Sequence, residues 1–495
     1  MANKLYVFAI GGTGSRVLRS LTMLLASGVK LPGRFDTVVP IIIDPDSANG
    51  DLNRTTDLLL QYQRVKQQVG NESDFFNAKM KTLISLTEEN VPPIADHFIF
   101  DIEGTTNESF EEFIGYQSLS DEDRALIDLL YTKAELRSSM SVGFKGKPNI
   151  GSVVLNQIIR SREYNEFADK FDEGDAIFVI SSIFGGTGAA GFPLLLKNLR
   201  SENPNIPNSH LISNSKIGAI SFLPYFKISP PEDSKKHTID HTTFIGKAQA
   251  ALSYYEHAIF KNKSLNAFYY LSDNSQNNYE HNDGKAEQRN NAHFLELAGA
   301  LAILDFLEDE PQLVTKDKKA LEATTKEFGI KNTTRDIDFD SLGIKTYKQI
   351  ASNLTRLAIV EKFLRLALEE NLDSQTAWVK DGEFNREEFF SQDFYQRNLR
   401  PFLDSFYEWI EEMKNNDVSF VAIQEPDSID SLLNMVKGKK VKSKGLFGSK
   451  SASYEKFTKE LNAALKGGLP EGAKEKKFVH LVDRASNVVV NKILK

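Results

Sequence analysis

Residues 175–191 read DAIFVISSIFGGTGAAG, and this stretch decides the fold class. Ala176 to Ile183 is an apolar run rich in β-branched residues and too short for an ordinary helix, so it predicts a strand buried on both faces. Glycines follow at once, with Gly185, Gly186 and Gly188 around Thr187. Having no Cβ, they permit positive φ and a close approach of backbone to ligand. From Ala189 onward small residues, and then Phe192 to Leu199, predict a helix packed tightly on the sheet. Strand, glycine turn and helix N-terminus together make a place for an anion, because free N–H groups and the helix dipole both point at it. A phosphate is the expected guest. A tight turn between strand and helix, with no ligand, is the alternative these residues leave open.

The same sequence of elements stands at the start of the chain. Leu5 to Ile10 predicts a short strand, Gly11, Gly12, Thr13, Gly14, Ser15 and Arg16 follow, and Val17 to Ser27 has the pattern of an amphipathic helix. As a dinucleotide fingerprint this is incomplete, since Val17 stands where the third glycine belongs. Val38 to Ile43 predicts a strand that ends in Asp44-Pro45-Asp46-Ser47. Acids at the carboxyl end of a strand can receive a ribose hydroxyl or hold Mg²⁺ through water, or simply form a turn. Further on, Gly143-Phe144-Lys145-Gly146-Lys147-Pro148-Asn149-Ile150-Gly151 precedes a helical run, Ser152 to Ile159. Its glycines and lysines suit a terminal phosphate, although loop lysines are more commonly just solvated. Lys216 to Phe222 and Ala267 to Leu271 predict two more strands. Asn290 to Leu307 is apolar nearly all round, as expected of a helix buried between layers.

In this order the loops resemble those of the tubulin/FtsZ superfamily of GTPases. The wording GGTGAAG at Gly185 to Gly191 resembles its phosphate-binding glycine loop, and Gly11 to Ser15 its first nucleotide loop. The Gly143 to Gly151 segment is similar to the family pattern G-x-G-x-N-P-x-x-G, and Asp44 and Asp46 match the ends of its Asn-Thr-Asp motif. The resemblance covers about residues 5 to 320 and points to a divergent bacterial tubulin-like protein. It implies an α/β architecture. A parallel-sheet, Rossmann-like GTPase domain is expected over residues 1–290 and a core helix over 291–312, followed by a mostly helical α+β second domain over 313–430 and a basic linker with a C-terminal segment over 431–495.

The resemblance further implies GTP or GDP with Mg²⁺, head-to-tail assembly into filaments, and hydrolysis at the subunit interface. Gly185, Gly186, Thr187, Gly188 and Ala189 would hold the α and β phosphates, covered by Gly11, Gly12, Thr13, Gly14 and Ser15. Gly143, Lys145, Gly146 and Pro148 would serve the γ-phosphate region and Asp46 the metal, with Asp44 also belonging to the nucleotide site. Asn291, with Asn290 close behind, would read the guanine edge, although Asn at a helix start is more often an N-cap. The catalytic acids would come from the next subunit: Asp317, Glu322, or Asp338 within the cluster Asp336 to Asp340. Thr315 and Ala320 stand where the family carries an Asn and the acid that orients the attacking water. Hydrolysis is therefore expected to be slow or lost, and a non-hydrolysing nucleotide-binding scaffold or sensor is the alternative. A Rossmann oxidoreductase would account for Gly12, Gly14 and Asp44 but leaves the Gly185 loop unexplained.

The 495 residues suffice for two or three domains, and 41% hydrophobic with 26% charged residues is ordinary for a soluble globular protein. The net charge of −8 gives no global electrostatic case for nucleic acid. There is no cysteine, so disulfides and thiolate metal sites are excluded. The opening stretch is too short in apolar residues to read as a signal peptide. No run approaches the roughly 20 apolar residues that span a bilayer, and a cytoplasmic location is expected. Thr355 to Leu368 and Glu387 to Lys414 predict helices, and Val418 to Gln424 a strand. The basic stretch Lys437 to Lys450 suits an acidic partner or a lipid headgroup, or is more commonly a solvated linker, and an adaptor or cargo is expected on the second domain or the C-terminal segment.

Overall fold

A computed structural model describes residues 3–87, 97–105, 108–144, 146–229, 241–273, 278–280, 285–313, 315–316, 319–320, 324–327, 335–370, 372–426, 428–439 and 453–494. Seven strands make one sheet: β1 (Asn3–Ile10), β2 (Phe35–Ile43), β3 (Lys79–Met80), β4 (Ala176–Ser182), β5 (Lys216–Phe222), β6 (Ala267–Leu271) and β7 (Thr324–Glu327). Their spatial order is β7-β6-β5-β4-β1-β2-β3, and every neighbouring pair is parallel. A parallel sheet is covered by helices on both faces, which is why its strands read as unbroken apolar runs. All of β4 is buried.

Glycines show which helix lies on which face. Successive side chains of a strand point to opposite faces, so Ala9 and Ile10 of β1 mark the two sides. Helix α1 (Gly11–Ala26) lies on the Ala9 side, where a Cβ on Gly14 would stand 2.6 Å from the Ala9 carbonyl carbon. After α2 (Gly50–Val69) and the short α3 (Pro148–Leu155) comes α4 (Gly186–Arg200), which covers the Ile10 side. A Cβ on its Gly191 would come within 3.2 Å of Ile10 and 3.1 Å of Leu155. The apolar core helix α5 (Phe294–Asp309) lies on the same side as α1, with Gly299 against Phe222 and Val17. It begins at Phe294, inside the expected span of 291–312, and a 3₁₀ turn, Glu310–Gln312, continues it.

The second half is mostly helical: α6 (Ile344–Glu370), a π-helical turn (Phe394–Leu399), α7 (Arg400–Lys414), α8 (Ser453–Lys466) and α9 (Lys474–Ile493). The C-terminal segment docks on the core, since α9 packs on α6, α8 and α2. Asp483 of α9 accepts from the Ser73 hydroxyl (2.9 Å) and the Asp74 amide (2.7 Å).

Several expectations change, among them the helix foreseen over Glu387 to Lys414, which begins only at the π-helical turn because residues 387–392 form turns. The first helix starts at Gly11, not Val17, because the glycine run itself forms the first turn. The strand foreseen over Val418 to Gln424 is only Ser419–Phe420, paired with Asp336–Ile337. Its apolar residues serve packing on helices instead, with Phe420 stacked on Phe294 of α5 at 5.8 Å.

Candidate nucleotide-binding site

The chain leaves β1 for β2 and β3 on one side, then returns to β4 and continues to β7 on the other. Strand order therefore reverses between β1 and β4, and in open α/β sheets a crevice forms outside the carboxyl ends of the strands at such a point. Both glycine turns open onto it. Helix α1 starts directly after β1 and α4 after the three residues Ile183 to Gly185 that follow β4, and no side chain caps either N-terminus. Two helix dipoles and their first-turn amides thus converge on one place, as an anion site requires. The turns abut, since a Cβ on Gly11 would lie 3.6 Å from Thr187 Cβ.

The Gly143 segment closes a third side. It makes a turn with positive φ at Gly143 and Gly146, and the Lys147 amide donates to Phe144 O (2.8 Å). A Cβ on Gly186 would meet Gly146 N at 3.0 Å and Lys147 N at 3.1 Å. The fourth side is the end of β2, where Ile43 pairs with Ile10. Here Asp44 and Asp46 are buried. Asp44 Oδ1 accepts from the Asp46 amide (3.1 Å) and Asp46 Oδ1 from the Ala48 amide (3.2 Å). Burial pushes the Asp44 carboxyl up to about 7, and the charges of Asp46 and Asp51 push the same way.

Of the two uses foreseen for the glycines of the central loop, positive φ is not taken up. Among Gly185, Gly186 and Gly188 none has positive φ. What they supply is room: a Cβ on Gly188 would stand 2.5 Å from the Ser182 carbonyl oxygen, closer than packed atoms come. In the first loop only Gly11 takes positive φ, at +72°.

Beneath the first loop lies a buried ionic network that the sequence reading missed. Arg16, one turn into α1, pairs through Nη1 with Asp51 (2.8 Å) and through Nε with Glu296 (2.5 Å). Its Nη2 donates to Tyr225 Oη (2.8 Å) and to Thr13 Oγ1 (3.4 Å). Arg54 bridges Asp51 and Glu412, and Arg19 pairs with Glu412 at 2.6 Å. Burial pushes Glu412 up, but Arg19 and Arg54 more than reverse this and hold it below the usual carboxylate value. Three arginines thus face three carboxylates contributed by α2, α5 and α7. The signal was available: Glu296 interrupts the otherwise apolar start of the core helix, and Arg16 follows the glycine run directly.

The start of α5 is also not as foreseen. His293 caps it, with Nδ1 accepting from the Leu295 amide (3.1 Å) while Glu296 Oε2 accepts from the His293 amide (2.9 Å). Burial first, and then the charge of Arg16, pull the His293 imidazole down to about 3. The unfolded chain therefore binds a proton below about pH 6.5 that the folded chain refuses. Stability is full above that value and falls as the pH drops toward 3. Between pH 6.5 and 4.5 the wild type is expected to lose about 2 kcal/mol more than His293→Asn, which keeps a capping side chain without the titration. Urea midpoints across that range read the difference, and equal slopes for the two proteins would refute it.

The remaining foreseen residues fall as follows. Asn290 is tied to Asp51, whose carboxylate accepts from its amide (3.1 Å) and its side-chain nitrogen (3.3 Å), and its carbonyl accepts from Arg54 (2.6 Å). Asn291 is exposed, and neither Asn is the cap. Asp338 caps a 3₁₀ turn, its Oδ1 accepting from the Ser341 amide (2.8 Å) and hydroxyl (2.6 Å). Lys145, Asp317, Glu322 and residues 440–450 of the basic stretch lie outside the described residues. Among the described residues no group of three His, Asp or Glu side chains could hold a metal ion, and no helix is long and apolar enough to cross a membrane.

No family model matches the chain, and no curated protein matches it. Solved structures do show similarity. One is CetZ2 from Haloferax volcanii in a GTPγS-bound protofilament, 11% identical with a TM-score of 0.30, over 72% of this chain and 73% of that one. A second is the two-stranded filament of TubZ-Bt, 12% identical with a TM-score of 0.26, over 83% and 79%. A third is CetZ1 from Haloferax volcanii, a GDP-bound monomer, 12% identical with a TM-score of 0.25, over 54% and 51%.

Proposed function

We propose that this chain is a tubulin/FtsZ-like guanine-nucleotide-binding protein that assembles head to tail. One observation carries the reading: two helix N-termini without side-chain caps, those of α1 and α4, abut where the strand order reverses. The order of the loops along the chain adds to it. In this reading the amides of Gly186, Thr187 and Gly188 hold the α and β phosphates, Gly11 to Ser15 cover them, and the Gly143 to Gly151 turn meets the γ-phosphate. Mg²⁺ fits only as a cation shared with the nucleotide. The donor set is Asp46 beside Asp44, too few for a cage of protein ligands, and Mg²⁺ ordinarily keeps waters and phosphate oxygens beside one or two carboxylates. In the same reading Asn291, exposed just before the core helix, reads the base.

Hydrolysis is proposed to be slow or lost. Thr315 stands where the family carries an Asn and Ala320 where it carries the acid that orients the attacking water, and Asp338 Oδ1 accepts from the Ser341 amide and hydroxyl. This favours, as the second reading, a nucleotide-dependent scaffold that changes partners without turnover. A head-to-tail contact that does not close forms filaments by geometry alone.

Pelleting of purified protein with GTP, GDP or no nucleotide, with phosphate release followed in the same tubes, tests the proposal. GTP-dependent pelleting that disappears in Thr187→Val/Gly188→Ala is the expected result. Tight nucleotide binding with neither pelleting nor release would select the scaffold. Pelleting indifferent to nucleotide and to the double substitution would sink both.

A further inference from the structure

A second site lies away from the nucleotide crevice, in the helical second half. A cavity of about 290 Å³ opens between α6, α7 and the π-helical turn that precedes α7. Its interior is apolar, with Leu364, Phe390, Tyr395 and Leu403 all buried. Concave, mostly apolar cavities with a few convergent polar groups are where small molecules bind. Here the polar groups stand at the mouth.

Two guanidinium groups mark that mouth, from separate segments. Arg386 makes no hydrogen bond or ion pair among the described residues. Arg400 is half exposed and its ion pair is a loose one, 3.9 Å to Asp404. The third arginine of the lining is already committed. Arg365 pairs with Glu361 (2.8 Å) and Glu425 (3.4 Å) and lies 4.2 Å over the ring of Tyr407. Glu361 is buried on the wall, and burial raises its carboxyl to about 7 despite Arg365, so this wall repels an anion weakly. The mouth is left with two available cations against the single carboxylate of Asp404.

The π-helical turn is an independent pointer. Phe394–Leu399 winds with the wide i→i+5 pattern, which is rare and frequent at functional sites. It turns Tyr395 into the cavity, holds Gln396 to the Phe390 carbonyl (2.6 Å), and delivers Arg400 to the mouth without a break in the chain. A run of ordinary α-helix would give a different register to these side chains.

We propose that this cavity binds a small amphipathic carboxylate, its apolar body among Leu364, Phe390, Tyr395 and Leu403 and its head between Arg386 and Arg400. The planar fork of arginine matches a carboxylate in two parallel hydrogen bonds, and an apolar body desolvated in the cavity supplies the rest of the affinity.

Calorimetric titration of the full chain with decanoate, 2-naphthoate, decanol and decyltrimethylammonium, all below their micellar concentrations, is the test. Saturable one-site binding of a carboxylate is expected, with decanol at least tenfold weaker than decanoate. The exposed substitutions Arg386→Gln and Arg400→Gln, made together, are expected to weaken decanoate tenfold or more while the melting temperature stays unchanged. Leu403→Trp, which fills the cavity, is expected to abolish binding, with circular dichroism checking the fold. No saturable binding of either carboxylate, equal binding of decanol and decanoate, tighter binding of the ammonium probe, or indifference to the double arginine substitution would each overturn the proposal.

Discussion

Arg16→Met is expected to lower the free energy of unfolding by about 3–5 kcal/mol, the range for breaking a buried ion pair from one side. Arg16 is only 4% exposed, and its guanidinium bridges Asp51 and Glu296, which are 1% exposed each. Removing it leaves Glu296 beside Tyr225 with no cationic partner and Asp51 with Arg54 alone, and neither carboxylate can regain water without opening the junction of α1, α2 and α5. The cost is then the desolvation of uncompensated charge and not the modest net worth of the pair. The triple substitution Arg16→Met/Asp51→Asn/Glu296→Gln is expected to recover much of the loss, because no buried charge is left unpaired. Urea unfolding of the three proteins decides the matter. A loss under about 1 kcal/mol for Arg16→Met would mean that water reaches the network.

Gly186→Val is expected to weaken nucleotide binding by tenfold to a hundredfold, about 1.4–2.7 kcal/mol. The first β-carbon alone would stand 3.0–3.1 Å from Gly146 N, Lys147 N and Phe144 Cβ, and the two valine methyls reach further. Either the third loop is pushed off the crevice or the first turn of α4 rotates its amides away from the phosphates. Backbone of another loop cannot give way as the end of a flexible side chain can. Gly246→Ala is the matched control, since among the described residues nothing lies within 4 Å of a Cβ there. It sits inside the helix His241–Tyr255, where alanine is favoured over glycine by roughly 0.5–1 kcal/mol. Fluorescence titration with a labelled guanine nucleotide reads both. Equal affinities for Gly186→Val and wild type would place the ligand elsewhere.

Much of the fold was legible because its signals are local. The β-branched runs at Ala176 and Lys216 are bounded by turn residues, and both strands were read nearly to the residue. Ala267 to Leu271 was read to the residue. The glycine loops were found for a reason that proved partly different. Positive φ was foreseen at Gly185, Gly186 and Gly188, whereas the structure asks there for the absence of a side chain where segments distant in sequence meet. That is a property of packing, and no window of sequence contains it. The ionic network was illegible for the same reason: Arg16, Asp51, Glu296 and Glu412 are separated by tens to hundreds of residues, and only the folded chain brings them together. His293 as the cap of the core helix ran against the usual preference for Asn at that position, with two asparagines close by to mislead. The length of α6, Ile344–Glu370 against a foreseen Thr355 to Leu368, shows the remaining difficulty. Its first turns carry an apolar period at Tyr347, Ile350, Ala351 and Leu354, which the polar residues Lys345, Thr346, Lys348 and Gln349 between them obscured.

The central claim is that a guanine nucleotide sits with its phosphates on the first turns of α1 and α4. Equilibrium binding of fluorescently labelled GTP to the purified chain, with unlabelled GTP, GDP, ATP and a nicotinamide dinucleotide as competitors, tests it most directly. Saturable binding that GTP and GDP displace, that ATP and the dinucleotide displace poorly, and that Gly186→Val weakens at least tenfold is the predicted result. Failure of labelled GTP to bind, or its displacement by the nicotinamide dinucleotide in preference to GDP, would contradict the account.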